Sequence, residues 1–380
     1  MSCNVSIDDN LNHIDNLGFV STLEVKDAQM SFDDLFEILE LKVIPDHVDY
    51  FIADVNKADI FDNKIFMLDV EYRNGLYCYD ILTNSIFQVG KKGDGPGEYQ
   101  DLQDFFIDKD SGELWLLNNK GGVIETIRFS LNGQYIDSRV YTDHMALGFE
   151  KLNDGYLILS TQGWNNIPPN RFYDFQIIDS KGKLFKNYLS TPKVLVEYST
   201  PQSLPLSKSA NGSIIGTSKS MPYIFEFFNK DSLRIFDLNF SKPFIDKNQY
   251  DKISSEEYDF WYNYSEPLYH TIDRAFLIEN FLFYVVMFGS QFHYGFFDLE
   301  IQKNTVISNF KNGIFNLPMI PGAVAQVDDM LVFYLNSETI QQLRLDAVNQ
   351  KLSNSIPSEI FDGENPVLAF ARINFHKLRD

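Results

Sequence analysis

The chain of 380 residues holds only two cysteines, three tryptophans and six histidines, and each scarcity removes a class of protein. Two cysteines cannot build the multi-bridge framework of a small secreted scaffold. Cys78 lies in the strand-like run LYCYD and reads as a small buried hydrophobe. His13, His47, His144, His270, His293 and His376 are scattered with no HExxH or other ligand spacing, so no metal site is expected and no cofactor is implied. There is no GxSxG elbow, no Walker loop running into a helix and no Gly-rich turn between a strand and a helix. The longest apolar run, Phe281 to Phe288, falls far short of the roughly 20 residues that a membrane-spanning helix needs. Positive charge is scarce as well: 32 Lys and Arg stand against 53 Asp and Glu, a net charge of −21. That field repels phosphate backbones and anionic headgroups, so nucleic acid is not an expected partner.

What is plentiful is aromatic surface. The 34 Phe and 20 Tyr suit the half-buried, pleated face of a sheet. From about residue 36 onward, short alternating runs are separated by Gly, Asn and Asp turns, the pattern of antiparallel meanders and not of βαβ units. Asp101 to Asp108, Glu113 to Asn118, Val123 to Ser130 and Gln134 to Val140 give four strands joined by tight turns such as Asn132-Gly133, which is one blade. The same unit repeats along the chain, with inner strands expected to begin near Ala53, Asp101, His144, Gln202, Leu268 and Gly322. The expectation is an all-β chain folded as a β-propeller. Residues 1–30 are expected to be a tail or linker and residues 31–380 a single propeller domain. Glu37 to Ile44 and Pro366 to Phe375 both read as strands. Placing them in the last blade with Met330 to Tyr334 closes the ring by joining chain start to chain end and hides two sheet edges.

The segment Gly90 to Tyr99, GKKGDGPGEY, runs directly into DLQDFFID. With the FEILELKVIP strand near the start and the ENPVLAFARINFHK ending, it resembles the six-bladed β-propeller proteins common in Bacteroidetes, extracytoplasmic and in many cases lipoproteins. The resemblance spans roughly residues 31 to 380. It implies six four-stranded antiparallel blades, a count that the strand tally supports with five or seven as the neighbouring solutions. It also implies a location outside the cytoplasm, in the periplasm or at the cell surface. It carries no shared catalytic residues. Cys3, followed by the polar stretch NVSIDDNLNHIDN, resembles the start of a mature bacterial lipoprotein and is the candidate for lipid attachment, the one expected tie to a membrane.

Within the Gly-rich segment, Gly93, Gly95 and Gly97 offer backbone angles that other residues resist, and Pro96 stiffens the crossing from one blade to the next. Glu98 and Tyr99 complete this structural signature; the alternative is a backbone nest for an anion. Two insertions leave the repeat. The first, QGWNNIPPNR at 162–171, holds Trp164 and Asn165; the second, 246–266, holds Trp261 and Tyr262 and has the Ser cap and acidic start of a short helix. These aromatics either stack on a ligand or plug the end of the ring. His144 and His270 fall near expected inner strands and are the further binding candidates. The leading reading is a monomeric binding or interaction module whose ligand is a glycan, a peptide or a protein. The alternative is a hydrolase or lyase acting on a glycan or small molecule at the channel mouth.

Overall fold

In a computed structural model of the chain, the structure describes residues 17–20, 22–26, 30–45, 50, 52–162, 173–190, 202–218, 221–238, 240, 269–288, 291–307, 310–311, 322–336, 339–341 and 366–379. Six four-stranded antiparallel sheets follow one another along the chain, and the fold is a six-bladed β-propeller. The first blade is Lys57–Phe61, Lys64–Asp69, Gly75–Asp80 and Ser85–Val89. The second is Leu102–Asp108, Glu113–Lys120, Val123–Ser130 and Tyr135–Tyr141. The third is Gly148–Lys151, Leu157–Ser160, Tyr173–Ile178 and Leu184–Ser190, and the fourth Leu206–Lys208, Ile214–Thr217, Tyr223–Asn229 and Ser232–Asp237. Tyr269–Ile278, Phe281–Phe288, Gln291–Asp298 and Lys303–Ile307 form the fifth. First strands therefore begin one to four residues later than the sequence suggests, at Lys57 in place of Ala53 and at Gly148 in place of His144.

Tight turns separate the strands where the chain tolerates a left-handed backbone. Asp62 and Asn63 have φ of 51° and 58°, the paired positive angles of a two-residue hairpin whose twist matches its strands. The Asp108 to Glu113 turn, spaced loosely like a calcium loop, is a hairpin closed by Gly112 N–H donating to the Asp108 carbonyl at 2.8 Å.

The chain forms two compact units. One holds the third and fourth blades and most of the fifth; the other holds the first, the sixth and most of the second. Within the latter, the two middle strands of the first blade are buried on both faces. Ile65, Met67, Tyr77 and Tyr79 join a cluster with Val324, Val332 and Leu368 of the sixth blade. The alternate residues Phe66, Leu68, Leu76 and Cys78 join Phe105, Leu114, Leu116 and Phe129 of the second. The period of two thus sends neighbouring residues to opposite sides of one sheet. In the other unit, Ile158, Phe175 and Ile177 of the third blade pack with Ile214, Phe225 and Phe227 of the fourth.

The sixth blade runs Ala323–Val327, Met330–Leu335, Val367–Ile373 and, as its outer strand, Phe36–Val43 from near the chain start. Val367 lies opposite Val43 and Ile373 opposite Phe36, so the start and end of the chain are knitted into one sheet. The one-turn helix Phe32–Leu35 leads into it, capped by Ser31, whose hydroxyl accepts from Asp34 N–H at 3.2 Å while Asp34 accepts from Ser31 N–H at 2.9 Å. Phe36 packs on Phe32 and Phe333, with ring centroids 4.6 and 5.0 Å away.

Part of the expected tail is also strand. Leu17–Val20 adds a parallel fifth strand to the fourth blade, Thr22–Lys26 a fifth strand to the fifth blade, and Met30–Ser31 pairs in parallel with Phe310–Lys311.

The closing strand sets a stability test. Phe36→Ala is expected to cost about 3–5 kcal/mol, read as a lower midpoint in urea unfolding.

Candidate functional site

The strands alternate in direction, so connections from first to second and from third to fourth strand fall at one end of a blade. Those from second to third strand and onward to the next blade fall at the other end. At the first end the turns are hairpins no longer than the five residues 152–156, 179–183 and 209–213. At the second end lie 161–172, 191–205, 238–268, 308–322 and 336–366. Each of these longer connections thus begins and ends at the same end of its blades, and loops on a rigid scaffold are where recognition is built.

Polar side chains at the ends of second strands pin these connections in place. In the first blade the buried Asp69 carboxylate accepts Ala53 and Asp54 N–H at 3.2 and 3.3 Å through Oδ2, and Tyr72 and Arg73 N–H at 2.9 and 3.2 Å through Oδ1. This is why the first strand starts only at Lys57: the residues before it are held as loop. In the second blade Asn118 has the same position and job, its Oδ1 accepting Gln100 and Asp101 N–H, each at 3.0 Å.

The Gly-rich segment is braced by its own carboxylate. Glu98 accepts from Gly95 N–H at 2.9 Å and pairs with Lys91 at 3.1 Å; these two contacts hold its carboxyl below the usual range. Gly93 N–H is spent on the Tyr99 carbonyl at 2.9 Å and Glu98 N–H on the Gly95 carbonyl at 3.0 Å, so these donors are committed within the loop. Gly97 has a φ of +75°, and a Cβ there would stand 3.1 Å from the Tyr135 ring; no other residue fits without displacement. Tyr99 is fully buried and its hydroxyl accepts from Gln88 at 2.9 Å.

Between the first strands of the first and second blades lies a buried ion pair that the sequence did not disclose: Lys57 Nζ stands 2.9 Å from Asp104 Oδ1, with the ammonium 5.5 Å from the centre of the Phe105 ring. Around the end of the first blade the accessible groups are mixed in character. Tyr72 is 70% exposed, next to the exposed Glu71 and Arg73. Half-buried Tyr334 donates to the Ala53 carbonyl at 3.1 Å, and burial together with Asp54, Asp69 and Tyr72 raises its pKa. Tyr50 packs edge-on against Tyr77 at 6.1 Å, and burial pushes the Tyr77 phenol up to about 12. An exposed ring, carboxylates and a guanidinium together can stack on an apolar ligand face while donating and accepting hydrogen bonds.

In the other unit, the side chains at the long-connection end form a buried network. Gln162 and Gln202 bond reciprocally, Gln202 N–H donating to Gln162 Oε1 at 2.9 Å; the Gln202 amide also donates to Thr217 Oγ1 at 2.8 Å. Ser203 N–H donates to Asp273 Oδ1 at 2.8 Å, and the other oxygen of Asp273 takes Arg274 Nε at 2.7 Å. A break in register between Ile272 and Arg274 turns these neighbouring residues toward each other, the usual effect of a bulge.

Of the binding candidates singled out in the sequence, the structure describes His144 and His270. His144 is buried, one ring nitrogen 3.0 Å from Gln176 Oε1 and the other 2.8 Å from the Gly182 carbonyl; it ties the crossing into the third blade to that blade's own turn. His270 lies in the strand Tyr269–Ile278. Trp164, Asn165, Trp261, Tyr262 and Cys3 lie outside the described residues. Tyr72 escaped the sequence reading, its only signal being an aromatic inside the turn YRNG. Cys78 is fully buried and its thiol is pushed up to about 12 by that burial, far from the thiolate that a nucleophile requires. Among the described residues no group of three or more His, Cys, Asp or Glu could hold a metal ion, and no helix is long and apolar enough to cross a membrane.

The profile of DUF4934, a domain of unknown function, matches residues 46–372. The chain belongs to that family. No curated protein matches the chain. Among solved structures, it is similar to a candidate exported protein of Bacteroides fragilis, at 17% identity and a TM-score of 0.72 over 93% of this chain and 99% of that one. A DUF4221 member from Bacteroides vulgatus is similar at 10% identity and a TM-score of 0.52, over 89% of this chain and 98% of that one. At such identities the likeness of this DUF4934 chain to either structure is one of fold.

Two measurements probe these buried groups. Lys57→Met alone is expected to cost about 3–5 kcal/mol because it strands a buried carboxylate, whereas Lys57→Met with Asp104→Leu recovers most of that loss; urea unfolding of both variants reads the difference. His293 of the fifth blade packs on Phe288 at 5.2 Å, and burial lowers its pKa from 6.5 to about 4. Between those two values the unfolded chain binds more protons than the folded one, so acidification through this window destabilises the fold. His293→Leu is expected to lose less melting temperature than the parent between pH 7 and pH 5.

Proposed function

We propose that this DUF4934 chain is an extracytoplasmic binding module, tethered through a lipid on Cys3, that takes its ligand at the long-connection end of its blades. The observation that carries the reading is the one-sided placement of every long connection, from 161–172 to 336–366, on blades otherwise joined by hairpins. A propeller built for stability alone has no need of that asymmetry; one that presents a recognition surface does. The exposed ring of Tyr72 with Glu71 and Arg73 beside it supplies suitable chemistry at that end of the first blade. The likeness to a candidate exported protein of Bacteroides fragilis over nearly its whole length supports the location. The ligand class is a glycan, a peptide or a protein.

The test is a panel of glycans and peptides screened against the full chain, followed by alanine variants at both ends of the blades. Tyr72→Ala, Trp164→Ala or Trp261→Ala is expected to weaken binding at least about tenfold, as loss of an aromatic anchor does. Leu82→Ala and Ile301→Ala, which remove exposed side chains from hairpin turns at the opposite end, are expected to leave affinity unchanged. Equal losses at both ends overturn the reading, and consumption of the bound compound turns it into that of an enzyme.

A further inference from the structure

The outer strand of a blade leaves a row of backbone N–H and C=O groups without sheet partners, a template for any extended chain. In the fourth and fifth blades this row is covered by the chain itself. Leu17, Gly18 and Val20 lie opposite Ile235, Phe236 and Asp237 in parallel register. After the single residue Ser21, Thr22–Lys26 lies against Lys303–Ile307. One ten-residue stretch, 17–26, thus adds a fifth strand to two consecutive blades.

These added strands differ in kind from the other segment that the chain start contributes. Phe36–Val43 is eight residues long, pairs antiparallel and opens on a fully buried Phe. Leu17–Val20 has four residues, pairs parallel and loses register between Gly18 and Val20. Parallel pairing is the weaker kind per residue, and a short irregular pair is readily displaced. Recognition through backbone hydrogen bonds depends little on side-chain identity, which is how exposed sheet edges accept peptides from other proteins.

We propose that the outer edges of the fourth and fifth blades form a strand-accepting site for an extended peptide segment of a partner protein, occupied in cis by residues 17–26. The cis segment acts as a competitor: its high effective concentration keeps the edge closed until a longer or better-paired strand displaces it. This surface is separate from the loop-bearing ends of the blades, so it stands or falls independently of the ligand proposed above.

The experiment uses the full chain and, as probe, a labelled synthetic peptide of residues 15–28. In the parent protein, amides of Ser232–Asp237 are expected to exchange with deuterium more slowly than those of Tyr135–Tyr141, the outer strand of the second blade, which ends its sheet. In the full chain carrying Val20→Pro and Val25→Pro, that protection is expected to fall. The variant then binds the peptide at one to one, at least about tenfold more tightly than the parent does, and regains slow exchange at Ser232–Asp237. A peptide with the same two prolines is expected not to bind, since proline removes a ladder donor. A folded variant that gives no peptide binding, or equal binding of the proline peptide, overturns the proposal. Should the variant fail to fold, equal exchange rates at the two outer strands of the parent overturn it as well.

Discussion

The structure depends on one constraint: the middle strands of a blade must be apolar on both faces, because each face belongs to a different core. In the first blade Ile65 and Met67 serve one cluster while Phe66 and Leu68 serve the next. A four-stranded sheet of this kind standing alone would expose two apolar faces to water. Its stability is that of the stack, and this explains both the heavy use of Phe and Tyr and the continuous burial of middle strands such as Lys64–Asp69 and Gly75–Asp80. Cys78, read from the sequence as a small buried hydrophobe, is one of these face residues.

Stacked blades leave the polar chemistry to strand ends, where it is first used to hold the chain. Asp69 and Asn118 occupy the same position in consecutive blades and capture the N–H groups of the incoming connection, so a repeat of apolar strands carries within it a repeat of polar clamps. Carboxylate and amide are interchangeable there because the task is acceptance of backbone hydrogens. The GKKGDGPGEY loop follows the same economy: Glu98 and the loop carbonyls take up donors that an anion nest would need to keep free.

This division explains what was legible in the sequence. Strand identity was legible because period-two runs and Asn or Gly turns are local signals, and so was the closure of the sixth blade, since FEILELKV and VLAFARI both read as strands in isolation. The first strand start was read too early because a distant clamp holds the residues before it as loop, as Asp69 does to Ala53 and Asp54. The Lys57 and Asp104 pair was not legible, because its members are 47 residues apart and each is an ordinary charge in its own segment. His144 read as a binding candidate for the same reason: its neighbours Gln176 and Gly182, which engage the ring, come from a later part of the blade. Residues 17–26 passed as tail because their strands exist only by virtue of edges formed some two hundred residues downstream, at Ile235–Asp237.

The chain start therefore contributes sheet in two different ways, and the difference is physical. As Phe36–Val43 it completes a blade whose inner faces need it, with Phe36 fully buried beside Phe32 and Phe333; removing it would open the core. As Leu17–Val20 and Thr22–Lys26 it lies outside blades that already have four strands, so its loss costs edge hydrogen bonds and leaves the four-stranded sheet intact. A segment of the second kind is free to respond to competition in a way that one of the first kind is not. A propeller with no free edges gains nothing from such a segment; one whose edges are worth covering has edges that another strand can use.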